Sequence, residues 1–403
     1  MIRGNESQGF ARSGRVQEAP IKVVQSWLEG LEASPANPLI DVSQAAPALP
    51  PPLALREAMA EYLLTTDEAH LYGPILGNTT LRQSLARSWS ASYDSDVTLD
   101  QIAITSGCNQ AFCAAISTLA EDGDEIILVT PWYFNHNMWL EMSGVHVVAL
   151  HCDETLLPSV ETAAALITDK TKAICMVSPN NPCGIEYPDP LLHSCFELAK
   201  DAGIHLILDE TYKDFHSNPH KPHSLLSKPH WDRTLIQLYS FSKTFRLTGH
   251  RVGAVVTSPE RIKQIEKFLD TVTICPSQVG QFAADWGLNN LSAWVKDQRN
   301  EIATRRQYVE QNAERLGKMG WSLRGCGAYF AYFDHPFDFP SLEVSRALVQ
   351  EAHILCLPED MFVPTPKPSP ESGLHTTGLR FAFANVTQEV LENMIQRLED
   401  VRL

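Results

Sequence analysis

Two short segments of the sequence place small and polar residues directly after apolar runs of β-strand length. In the first, Gly107, Cys108 and Asn109 lead into an apolar helical stretch. A helix that begins in this way leaves backbone N–H groups free to hold an anion such as phosphate. In the second, Ser-Pro-Asn-Asn-Pro-Cys-Gly, two prolines and a glycine fix the backbone around Asn181. Taken alone, each segment is explained as well by an ordinary helix cap or turn.

Asp209 and Lys243 also follow apolar runs, and each has a side chain that could do chemistry. Asp209 follows the run 204–208, which is apolar apart from His205. A carboxylate there needs a partner, because unpaired burial costs about several kcal/mol. A helix cap would provide that partner, and so would a protonated heterocyclic nitrogen. Lys243 lies among hydroxyl side chains and two arginines, Arg246 and Arg251. Desolvation beside cations lowers the pKa of a lysine, as Schiff-base chemistry requires, although most lysines are solvated surface residues.

The four segments together indicate a more specific chemistry than any one of them. In parallel sheets, ligands bind outside the carboxyl ends of the strands. One sheet edge would then hold an anion-binding helix start, Asn181, Asp209 with Tyr212 behind it, and Lys243 with Arg251 behind it. A cofactor with a phosphate, a phenolic oxygen, a basic ring nitrogen and an aldehyde would use all of them. This description fits pyridoxal 5′-phosphate.

The elements that must position these residues alternate between strand-like and helical runs, which predicts a doubly wound α/β layer. Several of the strand-like runs are continuous Ile, Val and Leu, as in strands buried on both faces of a parallel sheet. Helical stretches such as 190–202 lie between them, long amphipathic helices follow over 259–317, and a smaller α+β region completes the chain. The predicted strands are 101–105, 125–130, 146–150, 173–177, 205–209, 234–239 and 252–257.

The N-terminal region and one late segment have a different composition. A helix is predicted at about 21–33, followed by a connector rich in Pro, Ala and Ser over 34–52. A Pro- and Ser-rich stretch, 364–373, is predicted to be a surface loop. The predicted division is an N-terminal arm, helix and linker that pack with the small domain (1–52), a large cofactor-binding domain (53–290) and a small C-terminal domain (291–403).

The composition excludes several classes of function. The 403 residues include 32 Lys and Arg against 48 Asp and Glu, a net charge of −16, which argues against a nucleic-acid partner. No run approaches the roughly 20 apolar residues of a membrane-spanning helix. The nine cysteines have no CxxC spacing, so neither a disulfide framework nor a metal site is indicated. We expect a cytoplasmic protein with reduced thiols.

The combined motifs resemble those of the class I/II aminotransferases, fold type I pyridoxal-phosphate enzymes of the aspartate aminotransferase superfamily. The Ser-x-Ser-Lys segment ending at Lys243, with Gly249, Arg251 and Gly253 after it, is the most specific match. The Asn-Pro-x-Gly and Asp-x-x-Tyr segments precede it in the matching order, and the likeness extends over about 40–385. The resemblance implies a large domain with a seven-stranded, mostly parallel sheet plus a smaller α+β domain.

The resemblance also implies how the cofactor is held. Lys243 would bind its aldehyde as a Schiff base and carry a proton during the reaction. Asp209 would keep the ring nitrogen protonated, while Asn181 and Tyr212 would hydrogen-bond the phenolic oxygen. The implied phosphate ligands are Gly107, Cys108, Asn109, Ser240 and Arg251.

Three further matches concern the surroundings of the cofactor. Tyr133 lies where the family stacks an aromatic ring on the cofactor, and His136 lies where a side chain can touch the carboxylate of Asp209. Both residues are equally compatible with simple core packing. Tyr72 matches a tyrosine that reaches the neighbouring subunit's phosphate, which implies a homodimer with shared active sites.

The substrate site is implied less completely. Arg380 matches the arginine that binds the substrate α-carboxylate by a two-point fork, and Asn181 lies beside it in the family. Ala45 stands where the family commonly has a glycine, so that an extra methyl group narrows the substrate pocket. No second arginine for a dicarboxylate is evident. Aromatic residues near the predicted site suit an apolar or aromatic side chain or belong to the core; they are Trp132, Tyr133, Phe134, Tyr329 and Phe330.

We therefore expect an aminotransferase that moves an amino group between an L-amino acid and a 2-oxo acid by a ping-pong mechanism. Carbon–sulfur β-lyases, cyclases, racemases and decarboxylases share the same scaffold, and Lys243 and Asp209 do not separate them. A DNA-binding regulator with an aminotransferase-like domain is disfavoured, because no helix-turn-helix pattern precedes the large domain. A degenerate structural relative is disfavoured because Lys243, Asp209, Tyr212 and Arg251 occur together.

Overall fold

The computed structural model describes residues 11–34, 37–218, 221–364 and 376–403. Of the predicted N-terminal arm, residues 1–10 and 35–36 lie outside the described residues. The predicted surface loop 364–373 lies outside them as well, apart from Pro364.

The strands follow the apolar runs of the sequence closely. Each predicted strand is present, with bounds that differ by at most two residues. In chain order the strands are β1 (Ile40–Asp41), β2 (Ile102–Thr105), β3 (Glu125–Thr130), β4 (His146–His151), β5 (Thr171–Val177), β6 (His205–Asp209), β7 (Leu235–Ser240), β8 (Gly253–Val256), β9 (Ser322–Gly327), β10 (Phe330–Asp334), β11 (Ile354–Leu355), β12 (Leu357–Pro358) and β13 (Gly378–Phe381).

Seven of these strands form the large sheet, in the order β2-β8-β7-β6-β5-β3-β4. The neighbours from β7 across to β4 pair in parallel, whereas β8 runs antiparallel to both β7 and β2. The prediction of a seven-stranded, mostly parallel sheet is therefore confirmed. Because β2, β5, β6 and β7 point the same way, the residues that follow them meet at one edge.

Helices cover both faces of this sheet, and their apolar residues meet the strands in two large buried clusters. The predicted helix 190–202 is present, and three helices occupy 259–317. The helices are α1 (Pro20–Ser26), α2 (Leu53–Thr65), α3 (Thr79–Tyr93), α4 (Cys108–Ser117), α5 (Phe134–Ser143), α6 (Val160–Leu166), α7 (Asp189–Asp201), α8 (Phe241–Thr244), α9 (Pro259–Val272), α10 (Gln278–Asn290), α11 (Ser292–Gly317), α12 (Ser341–Ala352) and α13 (Gln388–Asp400). Every helix in the described part of the chain is too short or too polar to cross a membrane.

A second, smaller layer has its own sheet, in the order β12-β13-β10-β9, and all of its pairs are antiparallel. The helices α11, α12 and α13 pack on it around a separate apolar core that includes Phe330, Phe333 and Phe381. This is the α+β region expected after the large sheet. The boundaries 1–52, 53–290 and 291–403 stay a prediction.

The N-terminal segment differs from expectation in two respects. The predicted helix 21–33 is wrong at its C-terminal end, because α1 ends at Ser26. There the backbone changes to tighter turns, in which the backbone N–H of Trp27 donates a hydrogen bond to the carbonyl of Val24. Gly30 then takes a φ of 80°. The connector 34–52 also contains a strand that was not predicted, since β1 pairs in parallel with β11.

Candidate active site

The carboxyl ends of the large sheet's strands open into a cavity of about 340 Å³, at the edge predicted from the sequence. Residues that follow β2, β5, β6 and β7 line it, and β13 of the small sheet contributes from the other side. The predicted site residues that line the cavity are Ala45, Cys108, Asn109, Tyr133, Asn181, Asp209, Tyr212, Ser240, Lys243, Arg251 and Arg380.

One end of the cavity has groups that could hold an anion. Gly107 precedes α4 with a φ of 86°, and Cys108 and Asn109 of the helix's first turn, whose amides have no intrahelical acceptors, line the cavity. A Cβ atom at Gly107 would lie 2.2 Å from Nη2 of Arg251, and one at Gly253 would lie 2.6 Å from the carbonyl carbon of Gly107. Both positions therefore require glycine. Arg251 is oriented by a 3.0 Å hydrogen bond from its Nη1 to the carbonyl of Thr248.

Asp209, at the end of β6, is 3% exposed and held by bonds to both carboxylate oxygens. His136 Nε2 lies 3.3 Å from Oδ2. Thr211 donates to Oδ1 from its backbone N–H (2.9 Å) and from its hydroxyl (2.7 Å). Burial by itself raises the pKa of Asp209, but the His136 and Thr211 interactions outweigh burial, and the net pKa lies below the usual value. A buried carboxylate thus stays ionised at the cavity wall.

Lys243 lies in the short helix α8, directly after β7, and its Nζ donates a hydrogen bond to the carbonyl oxygen of Ala45. Burial, with the positive charges of Arg380 and Arg251, lowers the pKa of Lys243 from 10.5 to about 8. A neutral amine is a nucleophile and a base, whereas its protonated form is neither. The lowered pKa therefore makes this lysine reactive near neutral pH.

Titrating the reactivity of Lys243 tests this electrostatic environment without any cofactor. We expect its acetylation by acetic anhydride in the cofactor-free protein to reach half-maximal rate near pH 8, measured by peptide mass spectrometry. The neutral fraction rises with pH, so the rate should increase from pH 6 and level off above about pH 9. N-acetyl-lysine amide in the same tubes is the control, with a midpoint near 10.5. A midpoint above 10 for Lys243 would contradict the expectation.

Arg380, in β13, also lines the cavity and is 2% exposed. Its Nη1 donates to Oδ1 of Asn181 (2.8 Å), and its Nη2 donates to the carbonyl of Ser43. Burial lowers the pKa of Arg380 to about 10, so the guanidinium stays charged at neutral pH. Its Nε has no hydrogen-bond partner among the described residues. A buried cation with an unused donor can bind a carboxylate.

The aromatic residues near the site divide into two groups. Tyr133 and Phe134 line the cavity, and the hydroxyl of Tyr133 accepts from Nδ2 of Asn135 (2.8 Å) while it donates to Oδ1 of Asn109 (3.3 Å). Trp132, Tyr329 and Phe330 are buried in the apolar clusters instead.

The structure places three predicted residues outside the cavity lining. Gly107 lies behind Arg251, and His136 lies behind Asp209, where it contacts the carboxylate as expected. Tyr72 is 81% exposed on the surface and lies away from the cavity. Its predicted contact with a second subunit stays a prediction.

Several residues of the site were not anticipated from the sequence. Thr211 could have been found, because a Thr two residues after an Asp commonly returns a hydroxyl to that carboxylate. No local sequence pattern marked Asn135 or Thr248 as a residue of the site. Ile21 lines the cavity from α1, and only the tertiary fold brings this N-terminal residue to the strand ends.

Comparison with known proteins shows the family of the chain. The family model for aminotransferase class I and II matches residues 37–398. The aromatic aminotransferase ISS1 of Arabidopsis thaliana is 30% identical over 304 residues, covering 73% of this chain and 75% of that protein. The aspartate aminotransferase of Thermotoga maritima is 27% identical over 393 residues, covering 96% and 98%.

Solved structures extend the likeness to the fold. The aromatic aminotransferase from Pyrococcus horikoshii OT3 superposes with a TM-score of 0.81 at 25% identity, covering 93% of this chain and 97% of that one. The aspartate aminotransferase from Thermus thermophilus with maleate is 24% identical and shares the fold with a TM-score of 0.84, covering 97% of this chain and 99% of that one. The chain belongs to the aminotransferase class I and II family and is an aminotransferase.

Proposed function

We propose that this enzyme uses pyridoxal 5′-phosphate to move an amino group from an L-amino acid to a 2-oxo acid in two half-reactions. The observation that carries the proposal is the meeting of four charged groups in one cavity. Lys243, the ionised Asp209 and Arg380 line the cavity together with Arg251, which lies beside Gly107 at the anion-binding end. This set matches the aldehyde, ring nitrogen and phosphate of the cofactor and the carboxylate of a substrate.

The side chains fit the cofactor chemically. The glycine at 107 and the first turn of α4 leave room and N–H donors for a phosphate beside Arg251. Asp209 is a buried anion, so it would stabilise a protonated ring nitrogen. Asn181 and Tyr212 line the same cavity and would donate to the phenolic oxygen. Ser240, Cys108 and Asn109 would complete the phosphate site.

When bound, pyridoxal phosphate supplies an electron sink that makes the α-proton of the substrate acidic. The chain's own residues then do the rest. The Nζ of Lys243, once neutral, would accept that proton and deliver it to the carbon of the cofactor's former aldehyde group, acting as a general base and then as a general acid with a pKa near the working pH. Asp209 holds its negative charge because His136 and Thr211 bind both oxygens. Burial excludes water and strengthens these interactions.

Arg380 would bind the substrate carboxylate by its guanidinium fork, with Asn181 beside it. The rings of Phe330 and Phe362 each lie 5.1 Å from its Cζ and restrict its movement. Ala45 lies in the cavity wall next to Lys243, so its methyl group narrows the space for the substrate.

The absorbance spectrum tests the proposed function directly. The purified protein is loaded with pyridoxal phosphate and mixed with a panel of amino acids in the absence of any oxo acid. We expect the cofactor's visible absorbance to fall with stoichiometric release of an oxo acid. Persistent absorbance with accumulation of pyruvate and ammonia would show a β-lyase. Absence of a visible band after cofactor is added would refute cofactor binding.

The anion-binding end supplies a sharper test through Gly107→Ala. The added Cβ would collide with Nη2 of Arg251, so we expect affinity for pyridoxal phosphate to fall about tenfold or more. The measurement is a fluorescence titration of the cofactor-free protein. Gly123→Ala is a matched control, because Gly123 has a similar φ of 88° but nothing within 4 Å of the added atom. Both variants should lose about 1 kcal/mol of stability. Equal affinities in the two variants would refute this phosphate site.

We also propose a homodimer. Large apolar side chains are exposed at Leu64, Leu71 and Tyr72 and again at Val272. The backbone N–H of Gly73 donates to Sγ of Cys275, which joins these two stretches on the surface. Exposed apolar patches commonly mark interfaces. Sedimentation velocity should give twice the mass of the chain, and a monomer at micromolar concentration would contradict the proposal.

We further propose a cytoplasmic location. The nine cysteines are all free, and unpaired thiols suit a reducing compartment. Cell fractionation with an antibody against the protein tests this proposal.

A further inference from the structure

The charges in the cavity limit which substrates it can hold. Among the described residues that line it, the cations are Lys243, Arg251 and Arg380. Arg251 lies against Gly107 at the anion-binding end, and Lys243 follows β7. Among the described residues of one subunit, this leaves Arg380 as the cation for a substrate carboxylate. An amino donor with a second carboxylate in its side chain would need another partner.

Apolar rings also lie close to Arg380. Phe362 lies 5.1 Å from the guanidinium carbon, and the ring of Phe134 lies 5.8 Å from that of Phe362. Both rings belong to one apolar cluster with Val24, and Ile21 packs against that cluster. Ile21 and Phe134 are the two of these that line the cavity.

The apolar wall formed by Ile21 and Phe134 combines residues that are far apart in the sequence. Ile21 lies in α1, while Phe134 begins α5 after β3. The outward side of α1 carries Lys22, whose Nζ bonds Glu18 at 2.6 Å and whose side chain is 75% exposed. The charged residue of this helix is therefore directed to solvent, and its neighbour Ile21 faces the site.

We infer that the preferred amino donors have uncharged, apolar or aromatic side chains, which Ile21 and Phe134 contact while Arg380 binds the α-carboxylate. This inference rests on the proposed function. A carboxylate side chain in the same place would lose its hydration without gaining a cation from the described residues of one subunit. An apolar side chain would exchange water for the Ile21 and Phe134 surfaces.

The test uses the enzyme loaded with pyridoxal phosphate and two kinds of measurement. Calorimetric titration compares the affinities of 4-methylpentanoate and 3-phenylpropanoate with that of succinate. All three compounds lack an amino group and therefore bind without turnover. We expect the two monocarboxylates to bind at least about tenfold more tightly than succinate. In half-reactions, leucine, methionine and phenylalanine should exceed aspartate and glutamate in kcat/KM by at least about tenfold.

Two substitutions on α1 locate the effect. Ile21→Lys places a cation in the wall and should reduce the preference for leucine over aspartate by about tenfold or more. Lys22→Ala, on the neighbouring exposed position, should leave that preference unchanged.

The outcomes separate this inference from the proposed function. Tighter binding of succinate together with faster reaction of aspartate or glutamate would overturn the inference and leave the aminotransferase function in place. Failure of every amino acid to release an oxo acid would refute the function, and this inference with it. An Ile21→Lys variant with unchanged preference would show that Ile21 does not contact the side chain of the amino donor.

Discussion

Lys243→Ala is expected to reduce kcat by at least about 10⁴-fold while the protein still folds. The Nζ of Lys243 is the group that binds the cofactor aldehyde and moves the proton in the proposed function, and alanine can do neither. The side chain contributes little to folding, because burial beside Arg380 and Arg251 disfavours its charge. We therefore expect the free energy of unfolding to change by about 1 kcal/mol or less. Turnover is measured over many cycles with purified, cofactor-loaded enzyme.

A second buried lysine provides the control. Lys213 is 7% exposed, and its Nζ lies 3.0 Å from Asp214, outside the cavity. Lys213→Met leaves the Asp214 carboxylate buried without its cation, so it should lower stability by about 3 kcal/mol. The folded fraction should keep its kcat. Sustained transamination by the Lys243→Ala variant would show that another group carries the proton.

The large sheet and most of the cavity were predictable because both depend on local sequence. An apolar run of five residues defines β5, and runs of the same length interrupted only by His205 and Gln237 define β6 and β7. Since parallel strands end at the same edge, the polar residue that follows each strand could be assigned to one site. Asp209 and Lys243 were placed together by this reasoning alone, and the family resemblance added Arg380 from the small sheet.

Other features depend on contacts that local sequence does not report. β1 has two residues, and it is a strand because Ile40 and Asp41 pair with β11. α1 ends at Ser26 although apolar residues continue to Leu31, because turns and Gly30 redirect the chain onto the cluster around Phe362. Ile21 reaches the cavity through the same packing. The apolar surface formed by Ile21 and Phe134 in the cavity is therefore evident only in the tertiary structure.

Asp209 and Glu210 are consecutive buried carboxylates, one at the active site and the other in the core. Asp209 lines the cavity, whereas Glu210 points to the other face of the sheet. There Glu210 accepts hydrogen bonds from the hydroxyl of Tyr93 (2.9 Å) and from Nε2 of His223 (3.1 Å), and also from Gln237. The two residues thus have similar burial, adjacent positions and different partners.

Asp209→Asn is expected to lower kcat by about 10²- to 10³-fold, because the amide keeps the shape of the side chain but removes the charge opposite the ring nitrogen. Glu210→Gln should instead lower the free energy of unfolding by about 1–3 kcal/mol, since an amide group would face the amide of Gln237. Its kcat should stay within about threefold of the original enzyme.

Steady-state kinetics and urea unfolding of both variants decide between the two roles. If both variants lost kcat to the same extent, Asp209 would act through the packing of β6 and not through its charge. A selective loss in Asp209→Asn would assign the electrostatic role to the one carboxylate that His136 and Thr211 keep ionised at the cavity wall.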